Sequence, residues 1–202
     1  MTPAPARRFE GAIRNAHAIA LCLLALPLAA HAWDSGALKP PGTGQSLGLS
    51  IGRSDYGLGC GLLPGCDKST RALRLYGQAM VSDHWGAELG LLDMGRIGLG
   101  GGSARASGVN LSLLGRVPVF ETFSLYGKLG TTYGHTTTSA IAGAGLRSGS
   151  EDGFGLSYGA GLSWNLSPRL SAVLEWDSHD FRFAGGGRDA VRATSLGLQY
   201  RY

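Results

Sequence analysis

The sequence predicts an all-β protein: an eight-stranded antiparallel closed transmembrane β-barrel, preceded by a cleaved signal peptide. Three observations predict this fold. Beyond residue 32, apolar residues alternate with small or polar ones over eight segments, which is the period of a β-strand. The second face of these segments is mostly Gly, Ser and Tyr, rather than the Lys, Glu and Thr of a water-facing sheet. Finally, long and short connections alternate between the segments.

The N-terminal segment, residues 1–32, has the pattern of a signal peptide, and residues 33–202 form one predicted barrel domain. A basic leader with three arginines precedes an apolar run at 16–28, and Ala30-His31-Ala32 is a small-x-small cleavage site. The apolar run is shorter than the ~20 residues that a transmembrane helix needs. We therefore expect export and a mature chain that begins at Trp33.

Each predicted strand is defined by the apolar residues that would face lipid. In chain order these are Leu47, Leu49 and Ile51; Leu73, Leu75, Ala79 and Val81; Ala87, Leu89 and Leu91; Val109, Leu111, Leu113 and Val117; Phe123, Leu125 and Leu129; Phe154, Leu156, Tyr158, Ala160, Leu162 and Trp164; Leu170, Ala172, Leu174 and Trp176; and Leu196, Leu198, Tyr200 and Tyr202. The connections fall at about 54–70, 82–84, 95–107, 118–121, 135–152, 165–168 and 179–190. Short turns are typical of the periplasmic side of such barrels and long loops of the cell exterior.

Charged residues on the second face predict an ion-paired lumen. The interior of an eight-stranded barrel is just wide enough for side chains to fill, and buried charges are costly unless they pair. The opposite face carries no central charge, as lipid requires. The predicted lumen network comprises Arg74, Arg116, Lys128 and Arg201 against Glu88, Glu175 and Asp177.

Of the three cysteines, Cys22 leaves with the signal peptide, so that Cys60 and Cys66 remain. An even pair in an exported protein predicts a disulfide across the intervening short loop. Metal binding is the rival interpretation, and it lacks two further ligands nearby.

The charge balance gives no reason to expect a nucleic-acid partner. Without the leader's three arginines and one glutamate, the 18 basic and 14 acidic residues become 15 and 13. Glycine is abundant, but no GxGxxG motif precedes a helical segment, and we expect no cofactor.

Several stretches resemble the OmpA-like outer-membrane β-barrel family: VSDHWGAELGLLDMG at 81–95, FSLYGKLG at 123–130, LEWD at 174–177 and SLGLQYRY at 195–202. The resemblance implies that Leu196, Leu198, Tyr200 and Tyr202 form the signal read by the barrel-assembly machinery, with Tyr202 where phenylalanine is commoner. We also expect that the periplasmic peptidoglycan-binding domain of longer relatives is absent.

Candidate catalytic residues are few. His84, His135 and His179 lie at predicted turns or strand ends, and His135 with His179, Asp177 and Asp180 could form a metal or acid/base site. An outer-membrane lipid A deacylase is the sharper enzyme alternative, because that family carries His-x-Ser followed by Asn. The nearest match here is His135-Thr136-Thr137, with threonine in the place of the nucleophile.

The sequence therefore predicts a non-enzymatic outer-membrane protein of a Gram-negative bacterium, with a structural or surface-interaction role through four exterior loops. A narrow ion-conducting pore is the alternative, although bulky lumen residues such as Tyr76, Met80 and Tyr126 obstruct it. A lipid A-modifying enzyme is the third interpretation. The expected partners are outer-membrane lipid and lipopolysaccharide, the barrel-assembly machinery and an unidentified extracellular ligand of the loops, and the expected state is a monomer.

Overall fold

A computed structural model of the chain describes residues 44–58, 66–99, 102–139, 147–185 and 187–202. The predicted signal peptide and Cys60 lie outside these residues. Within them, no helix is long and apolar enough to cross a membrane. The strands of the described part are β1 (Gly44–Tyr56), β2 (Cys66–Asp67), β3 (Ser69–Met80), β4 (Trp85–Leu99), β5 (Gly102–Pro118), β6 (Phe123–Ser139), β7 (Gly149–Asn165), β8 (Leu170–Phe183) and β9 (Gly187–Arg201).

The eight long strands form a closed barrel in which neighbours along the chain pair in antiparallel fashion. Strand β1 pairs with both β3 and β9, and the pairing of β4 with β5 completes the ring. Strand β2 adds two residues to the edge of β4, with Cys66 opposite Leu99. The predicted eight-stranded antiparallel barrel is confirmed.

The apolar side chains of the alternating segments face outward. Leu49, Leu111 and Leu198 are each more than half exposed, at 54%, 56% and 54%. Successive side chains of a strand point to opposite faces, so the small and polar residues between them point into the lumen. The exposed apolar belt also includes Ile51, Leu73, Leu75, Leu113, Leu125, Leu129, Leu156, Leu174 and Leu196.

One end of the barrel carries tight turns close to the predicted ones, and we name it the short-turn end. The strands end at Met80, Pro118 and Asn165, and four-residue turns follow at 81–84, 119–122 and 166–169. Each turn is closed by a backbone bond of 2.9–3.0 Å, as from the Val81 amide to the Trp85 carbonyl.

The opposite, long-loop end differs from the sequence prediction, because strands occupy much of three predicted loops. Strand β4 runs to Leu99 and β5 starts at Gly102, where a loop at 95–107 was expected. Likewise β6 and β7 extend into 135–152, and β8 and β9 into 179–190.

The reason is a change in which face is apolar. Beyond the apolar belt, the inward positions carry the apolar side chains and the outward positions the polar ones, so an outward apolar pattern ends while the strands continue. The inward residues form a buried cluster, here named the upper apolar layer, which comprises Tyr56, Leu58, Ala72, Leu92, Met94, Ile97, Ala104, Ala106, Phe181, Phe183, Val191 and Ala193.

A β-bulge in β4 fits this layer. The register between β4 and β5 shifts between Asp93 and Arg96, and Gly95 has a φ of 72°, which glycine adopts without strain. The Tyr56 hydroxyl donates to the Gly95 carbonyl at 2.8 Å, and Ser54 Oγ donates to the Met94 carbonyl at 2.6 Å. Hydrogen bonds from β1 thus satisfy the two carbonyls that the bulge removes from the ladder.

Candidate functional site

Five charged side chains meet in the middle of the lumen and form what we name the ionic layer. Lys128 Nζ lies 3.0 Å from Glu88 Oε1, 2.7 Å from Glu175 Oε1 and 3.0 Å from Asp177 Oδ1. Arg74 Nη1 lies 3.3 Å from Glu88 Oε1 and 3.3 Å from Asp177 Oδ2, and it also contacts Glu175. All five residues are buried.

Neutral side chains complete the ionic layer. Gln78 Nε2 donates to Glu88 Oε2 at 2.8 Å, and the Tyr126 hydroxyl donates to Glu175 Oε2. The Arg74 guanidinium lies over the Tyr76 ring, 4.2 Å from its centre. Each carboxylate is therefore held by several donors, which is the condition under which buried charges are tolerated.

Arg116 and Arg201 were predicted to join this network, and the structure places them apart from it. Both lie on the inward face, but near the strand ends at the short-turn end. Arg116 donates to the Asp83 carbonyl at 3.4 Å and Arg201 to the Pro168 carbonyl at 3.3 Å. They line a cavity of about 440 Å³ at this mouth. The alternation identifies the face of a residue, whereas its depth depends on strand stagger, which the pattern does not contain.

The lumen is filled in successive layers. A lower apolar layer of Met80, Leu114, Tyr126 and Val173 lies between the mouth cavity and the ionic layer. The upper apolar layer covers the other side. Beside Arg74 and His179 a cavity of about 10 Å³ remains, which is about the room that one water needs.

His179 lies in the lumen and not in an exterior loop. It is 2% exposed, and its Nδ1 is 2.8 Å from Thr132 Oγ1. Asn110 continues this polar cluster with a bond from Nδ2 to Thr132 Oγ1 at 3.0 Å. His135 is on the outer face, so the barrel wall separates the two histidines that were considered for a joint metal or acid/base site. Among the described residues, no group of His, Cys, Asp or Glu side chains is placed to hold a metal ion.

On the outer face, His135 meets a carboxylate that the sequence analysis missed. His135 on β6 is directly opposite Asp152 on β7, and His135 Nδ1 lies 2.7 Å from Asp152 Oδ1. Thr137, two residues along β6, has its Oγ1 3.4 Å from His135 Nε2. Only the strand register across residues 135–152 could have shown this contact, and that segment was expected to be a loop.

The outer face of the long-loop end also carries exposed arginines, which we name the basic rim. Arg53 is directly opposite Arg71 in the sheet, and Arg182 is directly opposite Arg188. Arg105 pairs with Asp93 at 2.5 Å, whereas Arg53 and Arg71 have no ion pair within the described part of the chain. The members of the rim are Arg53, Arg71, Arg96, Arg105, Arg182, Arg188 and Arg192.

The residues of the predicted assembly signal are exposed on the outward face at the end of β9, with Tyr202 directly after the strand. Leu196, Leu198, Tyr200 and Tyr202 are 61%, 54%, 48% and 44% exposed. Cys66 lies in β2, but Cys60 is outside the described residues, so the disulfide stays a prediction.

An apolar outer belt around a lumen that is filled with side chains and has an ionic layer at its centre defines a small membrane-embedded β-barrel protein. Residues 18–202 match the family model "Outer membrane protein beta-barrel domain", and the chain belongs to this family. No protein with curated annotation matches it in sequence.

Solved barrels share the fold. Neisserial surface protein A is 10% identical, with a TM-score of 0.57 over 80% of this chain and 97% of that one. The N-terminal β-barrel domain of OprF from Pseudomonas aeruginosa is 11% identical, with a TM-score of 0.51 over 79% and 99%. Ail, the attachment invasion locus protein of Yersinia pestis, is 23% identical, with a TM-score of 0.49 over 79% and 99%. The likeness to Neisserial surface protein A and to the OprF barrel shows the fold alone at these identities.

Proposed function

We propose that the protein is a surface-interaction barrel of the outer membrane whose long-loop end faces the cell exterior. Family membership supports the outer-membrane location. The observation that carries the role is the extension of the wall beyond the apolar belt, with apolar residues inside and polar ones outside. An extension with its own core presents side chains on a rigid surface, which is suited to recognition.

A pore is the poorer proposal, because three layers of side chains cross the lumen. Tyr76 is fully buried, Leu114 is 1% exposed and Phe181 is 1% exposed. We expect conductance no higher than that of a protein-free membrane when the folded barrel is inserted into planar lipid bilayers.

The proposed partners of the basic rim are anionic surface groups, and the first of them are the phosphates of lipopolysaccharide. Like charges directly opposite each other in a sheet are destabilising, so the opposition of Arg53 and Arg71 costs stability unless an anion lies between them. Both arginines lie one outward position beyond Ile51 and Leu73, at the edge of the apolar belt. Lipid phosphates lie at this level of a membrane.

The experiment compares stability in two membranes. Wild type should require more urea to unfold in bilayers that contain phosphorylated lipid A than in zwitterionic bilayers. The Arg53→Gln/Arg71→Gln double variant should lose that increment. Arg169→Gln, in a turn at the other end, is the matched control and should keep it. Equal increments in all three proteins would contradict the proposed partner.

The same proposal has three further parts. Residues 1–32 direct export, Cys60 and Cys66 form a disulfide, and the barrel-assembly machinery receives the exported chain. An extracellular protein ligand would be sought by a pull-down with the intact folded barrel.

A further inference from the structure

We propose that Thr137, His135 and Asp152 form a nucleophilic site on the outer wall, which cleaves acyl esters of outer-leaflet lipids. This inference goes beyond the surface-interaction role and does not depend on it. It also departs from the sequence-based prediction that the protein is not an enzyme.

The three side chains stand in the order that nucleophilic catalysis requires. An ionised carboxylate accepts hydrogen bonds and donates none, so in the 2.7 Å contact with Asp152 the proton is on His135 Nδ1. Nε2 then carries a lone pair, and the Thr137 hydroxyl, 3.4 Å away, donates to it. A hydroxyl, a base and a carboxylate that orients the base are the parts of a catalytic triad. Contacts of this length are common in the absence of substrate and shorten when it binds.

Regular strand geometry holds the triad in place. His135 and Thr137 are two residues apart on β6, so they share the outward face. The ladder puts Asp152 of β7 directly opposite His135. The His135 and Asp152 side chains are 51% and 53% exposed, which leaves the site open to a substrate. An exposed pair of this kind contributes only about 0–1 kcal/mol to stability. A gain in stability therefore explains little of why His135 and Asp152 are paired.

A cation lies on the other side of Thr137. Arg105 of β5 is directly opposite Thr137, and its Nη2 is fixed by Asp93 Oδ2 at 2.5 Å. A fixed guanidinium stabilises the negative charge that develops on a carbonyl oxygen when a hydroxyl attacks it.

The depth of the site selects the substrate class. The next outward pair below His135 and Asp152 is Tyr133 with Phe154, whose ring centres are 4.9 Å apart. Aromatic side chains of this kind mark the border of the hydrocarbon region in barrels. Ester carbonyls of acylated lipids lie just outside that border, on the side where His135 and then Thr137 follow Tyr133 along β6, while the acyl chains extend along the apolar belt.

The reaction is a hydrolysis that needs only water. Thr137 Oγ1 attacks the ester carbonyl carbon as its proton passes to His135 Nε2. The bond from carbon to the lipid alcohol breaks, and the alcohol oxygen takes that proton. Water then gives a proton to Nε2 and attacks the acyl-threonine, which releases a fatty acid and returns the proton to Oγ1.

The test uses the full-length folded protein in mixed micelles of nonionic detergent and hexa-acylated lipid A, with released fatty acid measured by mass spectrometry. Wild type should release fatty acid above the protein-free background. Thr137→Val, His135→Gln and Asp152→Asn should each lower the rate by about 100-fold or more, as expected when a nucleophile or its base is lost. Thr137→Ser should keep the activity, because it retains the hydroxyl.

Ser150→Ala is the matched control, since Ser150 is opposite Thr137 on β7, whereas the hydrogen-bond partners of His135 are Asp152 and Thr137. It should hydrolyse like wild type. Gel migration of boiled and unboiled samples is compared for each variant, because a folded barrel migrates more slowly once it is boiled. This comparison separates loss of activity from loss of folding. Absence of release by folded wild type, or equal release by Thr137→Val, would overturn the site. The role of the basic rim would be unaffected, because its test measures stability and not hydrolysis.

Discussion

At the scale of single residues, Lys128 is the side chain on which the balance of the lumen depends. Its ammonium contacts all three carboxylates of the ionic layer within 3.0 Å. Arg74 alone would have to compensate three negative charges if Lys128 were lost. Charges without partners in a dry interior cost far more than the pair contributes when complete.

We therefore expect Lys128→Met to lower the free energy of unfolding by about 3–5 kcal/mol, the range for breaking a buried pair. Replacing Glu88 as well, in Lys128→Met/Glu88→Gln, should recover part of the loss because it removes one unpaired charge. Urea unfolding of the barrel in lipid measures all three proteins.

Arg105→Gln is the control for this comparison. Its pair with Asp93 is 49% and 40% exposed, so the change should cost about 0–1 kcal/mol. If Lys128→Met also stays within about 0.5 kcal/mol of wild type, as surface substitutions do, then the ionic layer is open to water and the lumen is not sealed.

The inward placement of Glu88, Lys128 and Glu175 could be predicted because side-chain direction follows from the period of two. The approach of Asp152 to His135 could not be. It depends on which residue of β7 lies opposite residue 135, and hence on the unbroken register of sixteen residue pairs between β6 and β7. The two-residue period of a strand contains no information about which residue of the neighbouring strand lies opposite.

At the scale of elements, the strands beyond the apolar belt have the reverse pattern of the strands within it, with apolar residues inside and polar residues outside. The tight turns at 81–84 and 166–169 were predictable, because serine in both and aspartate in the first mark them directly. The strand extensions were not, because their apolar residues, such as Ile97, Phe181 and Val191, alternate on the inward face, whereas those of the predicted strands alternate on the outward face.

The extension gives a direct test at Phe181. This ring is 1% exposed in the upper apolar layer, so Phe181→Ala should cost about 3–5 kcal/mol by loss of burial and creation of a cavity. Phe120→Ala is the control, because Phe120 is 70% exposed in a turn and should change stability by no more than about 0.5 kcal/mol. Guanidinium unfolding of the refolded proteins compares them. Equal, small losses would mean that residues 179–190 form the loop that the sequence predicts.

At the scale of the whole molecule, the barrel depends on the seam where its last strand meets its first. Strands β1 and β9 pair from Ser46 with Arg201 to Tyr56 with Val191, which leaves no free edge between them. A bilayer cannot hydrate an unpaired strand edge, so the closure of this seam is a condition for membrane insertion. The aromatic outward face of β9, proposed as the assembly signal, is thus carried by the same strand that completes the ring.

Glycine at position 52 makes the close approach at the seam possible. A Cβ at Gly52 would lie 2.0 Å from the Thr194 carbonyl oxygen and 2.6 Å from the Ser195 Cα, both of them backbone atoms of β9. Rotation of a side chain cannot relieve this contact, so the two strands themselves must separate. We expect Gly52→Ala to cost about 1–3 kcal/mol, the range for overpacking. The folded, fast-migrating form on gels should also convert to the unfolded form at a lower temperature.

Gly127→Ala is the control: it faces outward on β6, and its Cβ would meet nothing closer than the Gly159 carbonyl oxygen at 3.9 Å. If both variants unfold at the urea concentration and temperature of wild type, β1 and β9 are not in the register described, and the ring must close at another pairing.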